Sequence, residues 1–225
     1  GWSRSDTFNM NTSEQNPSIP IKKAFEYRKA CELGDGKACL YFGNYLQCAR
    51  TDVICKNNKR VKKFLQRACS LGEPDGCLYL AGMQITGQIP GTDKEAFENA
   101  MTACNMGSTD ACFLAATFTR AGLGTKKDCS CGLNAFLHLC QESHHGKSCY
   151  EGARSLSQMS RAGRMDGKED ETTQRMQELI VKSCEYKYEP GCVALKEFQR
   201  LMKSSSHPGE DFAVFLSGAQ KIDCE

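Results

Sequence analysis

No stretch of the 225-residue chain approaches the roughly 20 consecutive apolar residues that a membrane-spanning helix requires. Its first residues, Gly1-Trp2-Ser3-Arg4-Ser5, lack the apolar core of a secretory signal, so a soluble chain is expected. Charge of one sign is also missing. With 29 basic residues against 27 acidic ones, the net charge of +2 calls for neither nucleic acid nor an anionic membrane. No segment alternates apolar and polar residues with period two, so no strands are expected. With four histidines and no Gly-x-Ser-x-Gly, nothing local signals a catalytic triad. Ser-x-x-Lys, the nucleophile motif of serine β-lactamases, does not occur either. Neither Gly-x-x-x-x-Gly-Lys nor Gly-x-Gly-x-x-Gly is present, which leaves nucleotide chemistry without a phosphate cradle.

Cysteine, by contrast, is abundant: 15 residues, far above ordinary usage for this length. The cysteines also repeat. Cys31–Cys39, Cys69–Cys77, Cys104–Cys112 and Cys184–Cys192 each enclose seven residues, and Cys140–Cys149 encloses eight. The first cysteine of each pair recurs after 38, 35, 36 and 44 residues, a period in the range of two-helix solenoid repeats. Tyr27, Leu65, Ala100, Phe136 and Ile180 stand four residues before those cysteines, and Val61, Ala96 and Met176 four further back. Spacing of three and four is helical, so each first cysteine ends an amphipathic helix. Gly34, Gly72 and Gly107 supply left-handed endings, and Asp35, Asp75 and Asp110 suit the start of the next helix.

The pattern predicts an all-α solenoid with helices near 21–34, 37–48, 58–71, 75–87, 93–106, 109–121, 132–142, 147–162, 169–187 and 190–204, and a short one near 209–219. Residues 1–19 read as an extended or disordered arm, 157–171 as an enlarged loop, and 20–225 as one solenoid domain.

A helix ending at one cysteine and another beginning near the next places both thiols beside one tight turn, within reach of a disulfide. Five junction disulfides are therefore expected, and Cys48 with Cys55 could make a sixth. Cys129, Cys131 and Cys224 remain. The Cys129-Ser130-Cys131 run, read as a loop after Lys126-Lys127, is either a redox or soft-metal pair or one thiol bonded to Cys224 beside one free thiol. Cysteines at this density point to an oxidising compartment. A zinc site at Cys140, His144, His145 and Cys149 is the weaker alternative, because both cysteines fall in register with the other junctions. The basic cluster from Lys56 to Arg67 reads as a solvated face. Tyr41, Tyr45, Tyr79, Phe113 and Phe118 lie on the first helices of their repeats, where exposed aromatics would bind a protein partner on the concave face.

The run from Arg28 through Ala30-Cys31-Glu32-Leu33-Gly34-Asp35-Gly36 to Cys39, echoed at 66–77, 101–112 and 181–192, resembles the cysteine-rich branch of the Sel1-like repeat proteins. That branch includes the Helicobacter cysteine-rich proteins and the cytochrome c oxidase assembly factor 7 group. The resemblance implies a right-handed α/α superhelix with a disulfide at each repeat junction, used mainly as a protein-binding scaffold. It also implies weak β-lactam binding in the bacterial branch, and respiratory-chain assembly with haem handling in the mitochondrial intermembrane space. Loops such as Gly87-Gln88-Ile89-Pro90-Gly91 depart from the family turn toward the eukaryotic branch. The resulting expectation is a non-enzymatic scaffold or assembly factor of the intermembrane space. The alternatives are a thiol, haem or copper handling factor, and a secreted or periplasmic β-lactam-binding protein.

Overall fold

The computed structural model describes residues 20–48, 58–162 and 169–218. These form eleven helices and no strand. In chain order they are α1 (Ile21–Glu32), α2 (Gly36–Cys48), α3 (Asn58–Ser70), α4 (Pro74–Ile85), α5 (Asp93–Asn105), α6 (Thr109–Ala121), α7 (Cys129–Glu142), α8 (Gly146–Arg161), α9 (Glu169–Glu185), α10 (Glu189–Ser204) and α11 (Pro208–Ser217). None is long and apolar enough to cross a membrane.

One turn closes four of the five cysteine-flanked hairpins, and a turn one residue longer closes the Cys140–Cys149 hairpin. Gly34, Gly72 and Gly107 sit at φ of 101°, 83° and 92°, and their N–H groups donate to the carbonyls of Cys31, Cys69 and Cys104. The next residue then donates back to the carbonyl just before the first cysteine, as Asp35 does to Ala30 and Glu73 to Ala68, both at 3.0 Å. This paired pattern satisfies carbonyls that a helix end leaves open. Where glycine is absent, His144 (φ 51°) and Lys187 (φ 60°) take the left-handed position instead. A side chain there costs on the order of 1 kcal/mol, so the turn is held against local preference.

Inside each turn a disulfide joins the helix ends, with Cα atoms only 4.5–4.8 Å apart: Cys31–Cys39, Cys69–Cys77, Cys104–Cys112, Cys140–Cys149 and Cys184–Cys192. Approach that close demands small neighbours. The residue before each second cysteine is Ala38, Gly76, Ala111, Ser148 or Gly191. A Cβ added at Gly76 would come within 2.7 Å of both the Ala68 Cβ and the Cys69 backbone nitrogen.

Two compact units emerge. One comprises α1 to α5 with the first half of α6; the other comprises the remainder of α6 and α7 to α11. In the first, Cys31, Cys39, Leu40, Val61, Leu65, Ala68, Leu80 and Met83 share a core. Gly43 lets α2 approach α3, since a Cβ there would lie 3.1 Å from Leu65. Arg67 reaches from α3 to donate to the carbonyls of Cys31 and Glu32, both at 3.1 Å, capping the end of α1. In the second unit, Cys140, Cys149, Leu156, Met176, Ile180, Phe198 and Phe212 are joined in one core. There α11 returns to bury Phe212, Ala213 and Leu216.

Two sequence expectations are corrected. The Cys129-Ser130-Cys131 run is not a loop but the first turn of α7, because the Asp128 side chain caps that helix by accepting from the Cys131 N–H at 2.8 Å. Residues 157–161 belong to α8 rather than to an enlarged loop. The hydroxyls of Ser155 and Ser157 bond back to the carbonyls of Glu151 and Arg154, so these serines fit within the helix.

Replacing Cys69 and Cys77 together by serine should remove about 2.5 kcal/mol of stability, the chain-entropy value for a nine-residue closure. Urea unfolding of the double variant beside the oxidised wild type measures it.

Candidate functional site

Tyr41 is 45% exposed and leans on Tyr27, ring centroids 5.2 Å apart. Tyr45 is half-buried and stacks on Phe42; Tyr79 is half-buried on α4. Tyr41 and Tyr79 hold one register position, two residues beyond the second cysteine of consecutive hairpins, and both reach the surface. Phe113 and Phe118 do not. At 6% and 0% exposure they are core residues, which corrects their expectation as partner contacts.

The leftover cysteines part company as well. Cys129 is buried and disulfide-bonded, its partner lying outside the described residues, so it is not a reactive thiol. Cys131, two positions along the same first turn, is exposed and free. Cys55, Cys224 and the side chain of Cys48 lie outside the described residues, and with them the sixth staple. The two cysteines of the alternative zinc reading are bonded to each other. Of its histidines, His145 pairs through Nδ1 with Ser148 Oγ at 2.7 Å, while the His144 ring meets Tyr186 edge-on. Among the described residues no three His, Cys, Asp or Glu side chains gather as a metal site.

The second unit holds a cluster that sequence reasoning missed. Glu151 on α8 is largely buried, its side chain 12% exposed, and its carboxylate is divided between two guanidiniums. Oε2 accepts from Arg120 Nη2 at 2.9 Å, and Oε1 accepts from Arg154 Nη1 at 2.9 Å. Arg120 also donates to Ser155 Oγ at 2.9 Å and lies 5.1 Å from the centroid of Phe136. Arg154 donates through Nε to the Leu216 carbonyl, which ties α11 to α8. Burial alone would push the Glu151 carboxyl up, but Arg120 and Arg154 overcome it and hold the group below its ordinary value. Burial likewise works against the charge on Arg154, and Glu151 outweighs it, raising that group. Beside Arg154 the rings of Tyr150 and Tyr188 lie 5.6 Å apart. Burial raises both phenols above their usual value, so they remain neutral donors. The one available signal was register: Glu151 stands where other hairpins place Tyr41, Tyr79, Leu114 and Ala194.

No protein-family model matches the chain, and no curated protein matches it in sequence. Solved structures do. A Sel1 repeat protein from Oxalobacter formigenes is 16% identical, with 84% of this chain and 75% of that one covered at a TM-score of 0.66. A protective antigen of uropathogenic Escherichia coli displaying an SLR fold is 17% identical, over 86% of this chain and 39% of that one, at 0.64. Helicobacter pylori cysteine rich protein B is 24% identical over 56% of this chain and 91% of that one, at 0.42. The likeness at these identities is one of fold: this is a Sel1-type solenoid with a disulfide at each repeat junction.

Glu151→Gln should destabilise the protein by about 3 kcal/mol at pH 7, because it leaves the buried Arg120 guanidinium without its carboxylate. The depressed Glu151 carboxyl contributes fully above the ordinary value near 4.5, and its contribution is lost as pH falls through the depressed folded-state value. Urea unfolding at pH 7, 5 and 3 should show the gap between wild type and variant closing at the acid end. N-ethylmaleimide on the native oxidised protein should modify Cys131 and leave Cys129 untouched, as read by peptide mapping.

Proposed function

We propose that this chain is a non-enzymatic scaffold that holds a protein partner on the concave face lined by the first helices of its repeats. The observation carrying the reading is the pair Tyr41 and Tyr79: aromatic, surface-reaching, and in the same register of consecutive cysteine-flanked hairpins in one unit. Tyrosines on a rigid support are frequent binding hot spots, since they bury much area and lose little side-chain entropy. Tyr45 extends the row along α2. Disulfides at the five cysteine-flanked hairpins keep that support fixed and fit folding in an oxidising compartment. Among such compartments the reading favours the mitochondrial intermembrane space, with the chain a subunit or assembly factor of a respiratory complex. Support for this comes from the loop departures that resemble the eukaryotic branch. A secreted or periplasmic location is the alternative, and fractionation of the source cell separates the two.

One observation favours a second reading. Cys131 is exposed and unpaired, which suits a factor that exchanges thiols with a client. Haem or copper handling rests on the resemblance alone.

Affinity purification of wild type and of the Tyr41→Ala, Tyr79→Ala double variant, compared by quantitative mass spectrometry, tests the scaffold. Recovery of specific partners should fall by roughly tenfold or more, the effect of losing two modest hot spots. Equal recovery would remove this face from the proposal.

A further inference from the structure

The Arg154 corner of the second unit holds more donors than its own neighbours use. Glu151 gives Arg154 one oxygen only, the other being committed to Arg120. Arg154 Nε is taken by the Leu216 carbonyl and Nη1 by Glu151, while Nη2 donates to nothing among the described residues. The side chain is nonetheless 26% exposed, so part of it meets solvent. Tyr150 stands one helical turn before Arg154, on the same face of α8. Tyr188, at the start of α10, packs its ring near Tyr150 and its Cβ against Gly146, where a Cβ would approach to 2.9 Å. Both phenols are within electrostatic reach of Arg154, and neither hydroxyl has a hydrogen-bond partner among the described residues.

We infer that Arg154 Nη2, with the hydroxyls of Tyr150 and Tyr188, forms a binding site for a carboxylate of a bound polypeptide. Arg154 offers an unused donor on a guanidinium whose orientation is already fixed by two other bonds, with the paired Tyr150 and Tyr188 rings nearby, so little freedom is lost on binding. The anion should carry a single charge. Glu151 lies on the inner side of the same guanidinium and repels a dianion more strongly than a monoanion. The inference rests on the scaffold reading, in which a polypeptide held by the chain supplies the carboxylate. Where the first unit offers aromatic surface, the second offers a charged clasp.

The test is NMR on the oxidised full chain, following the Arg154 Nε–Hε signal and the ring signals of Tyr150 and Tyr188. Four probes are titrated: N-acetyl-Ala-Ala as free acid, its amide, N-acetyl-Glu amide, and inorganic phosphate. At least one free carboxylate should shift all three residues saturably, and the amide should not. The free acid and the glutamate probe separate a chain terminus from an acidic side chain. Arg154→Gln should abolish the saturable shift of the tyrosine signals. Tyr188→Phe, which keeps the packing, should weaken it about fivefold, the worth of one hydrogen bond. No saturable shift with either carboxylate, an equal shift with the amide, a preference for phosphate, or full affinity in Tyr188→Phe would each overturn the site. If carboxylate binding fails while the Tyr41 and Tyr79 variant still loses partners, the clasp is wrong and the scaffold stands. If carboxylate binds saturably while that variant keeps its partners, the clasp stands and the tyrosine face is wrong.

Discussion

Everything in this chain depends on how closely two helix ends can be brought together at a turn of a few residues. A Cα separation of 4.5–4.8 Å between bonded cysteines leaves no space for side chains of any size around the bond. The consequence runs outward from that point. The residue before the second cysteine is small, the turn passes through a left-handed residue, and the carbonyl before the first cysteine receives a bond from beyond the turn. With the hairpin angle set in this way, each helix presents its apolar stripe to the next. Leu65, Ala100, Phe136 and Ile180, one per repeat, are fully buried as a result. A solenoid has contacts mainly between neighbours, so errors at one junction are not corrected by distant packing. Fixing the junction covalently addresses that weakness.

Much of this was legible because it is local. Cysteine spacing, helical periodicity and turn glycines all act within a dozen residues, and they placed every helix with shifts of only a few residues at the ends. The C-x-C run was misread because an Asp128 side chain, not hydrophobic periodicity, starts α7. Phe113 and Phe118 were misassigned for a different reason: the sequence shows that an aromatic lies on a helix but not how deeply that helix is covered. The Arg120–Glu151–Arg154 cluster was out of reach altogether. Arg120 and Glu151 are 31 residues apart, and only the packing of α6 against α8 makes a buried carboxylate there tolerable.

The two units differ in how they treat one repeated position. In α2 and α4 the residue two beyond the second cysteine is a tyrosine, and in α8 it is Glu151 held by two arginines. The backbone is the same in kind, and the chemistry offered is not. A repeat fold can in this way change what stands at one register position, a surface aromatic or an inward ion pair, without disturbing its junctions, because the residues that make the turn are not the ones that vary.

The short span of each cysteine pair bears on how the chain can mature. A cysteine meets its own partner across eight or nine residues but its counterpart in the next repeat across 35 or more. Loop closure alone then favours the correct partner over that counterpart by about tenfold, before any helix has docked. Each hairpin can oxidise as soon as it emerges, in the order of synthesis or translocation, without waiting for the segments that follow. None of the five hairpin bonds encloses another, so each of these rungs can lock as soon as its own two cysteines meet.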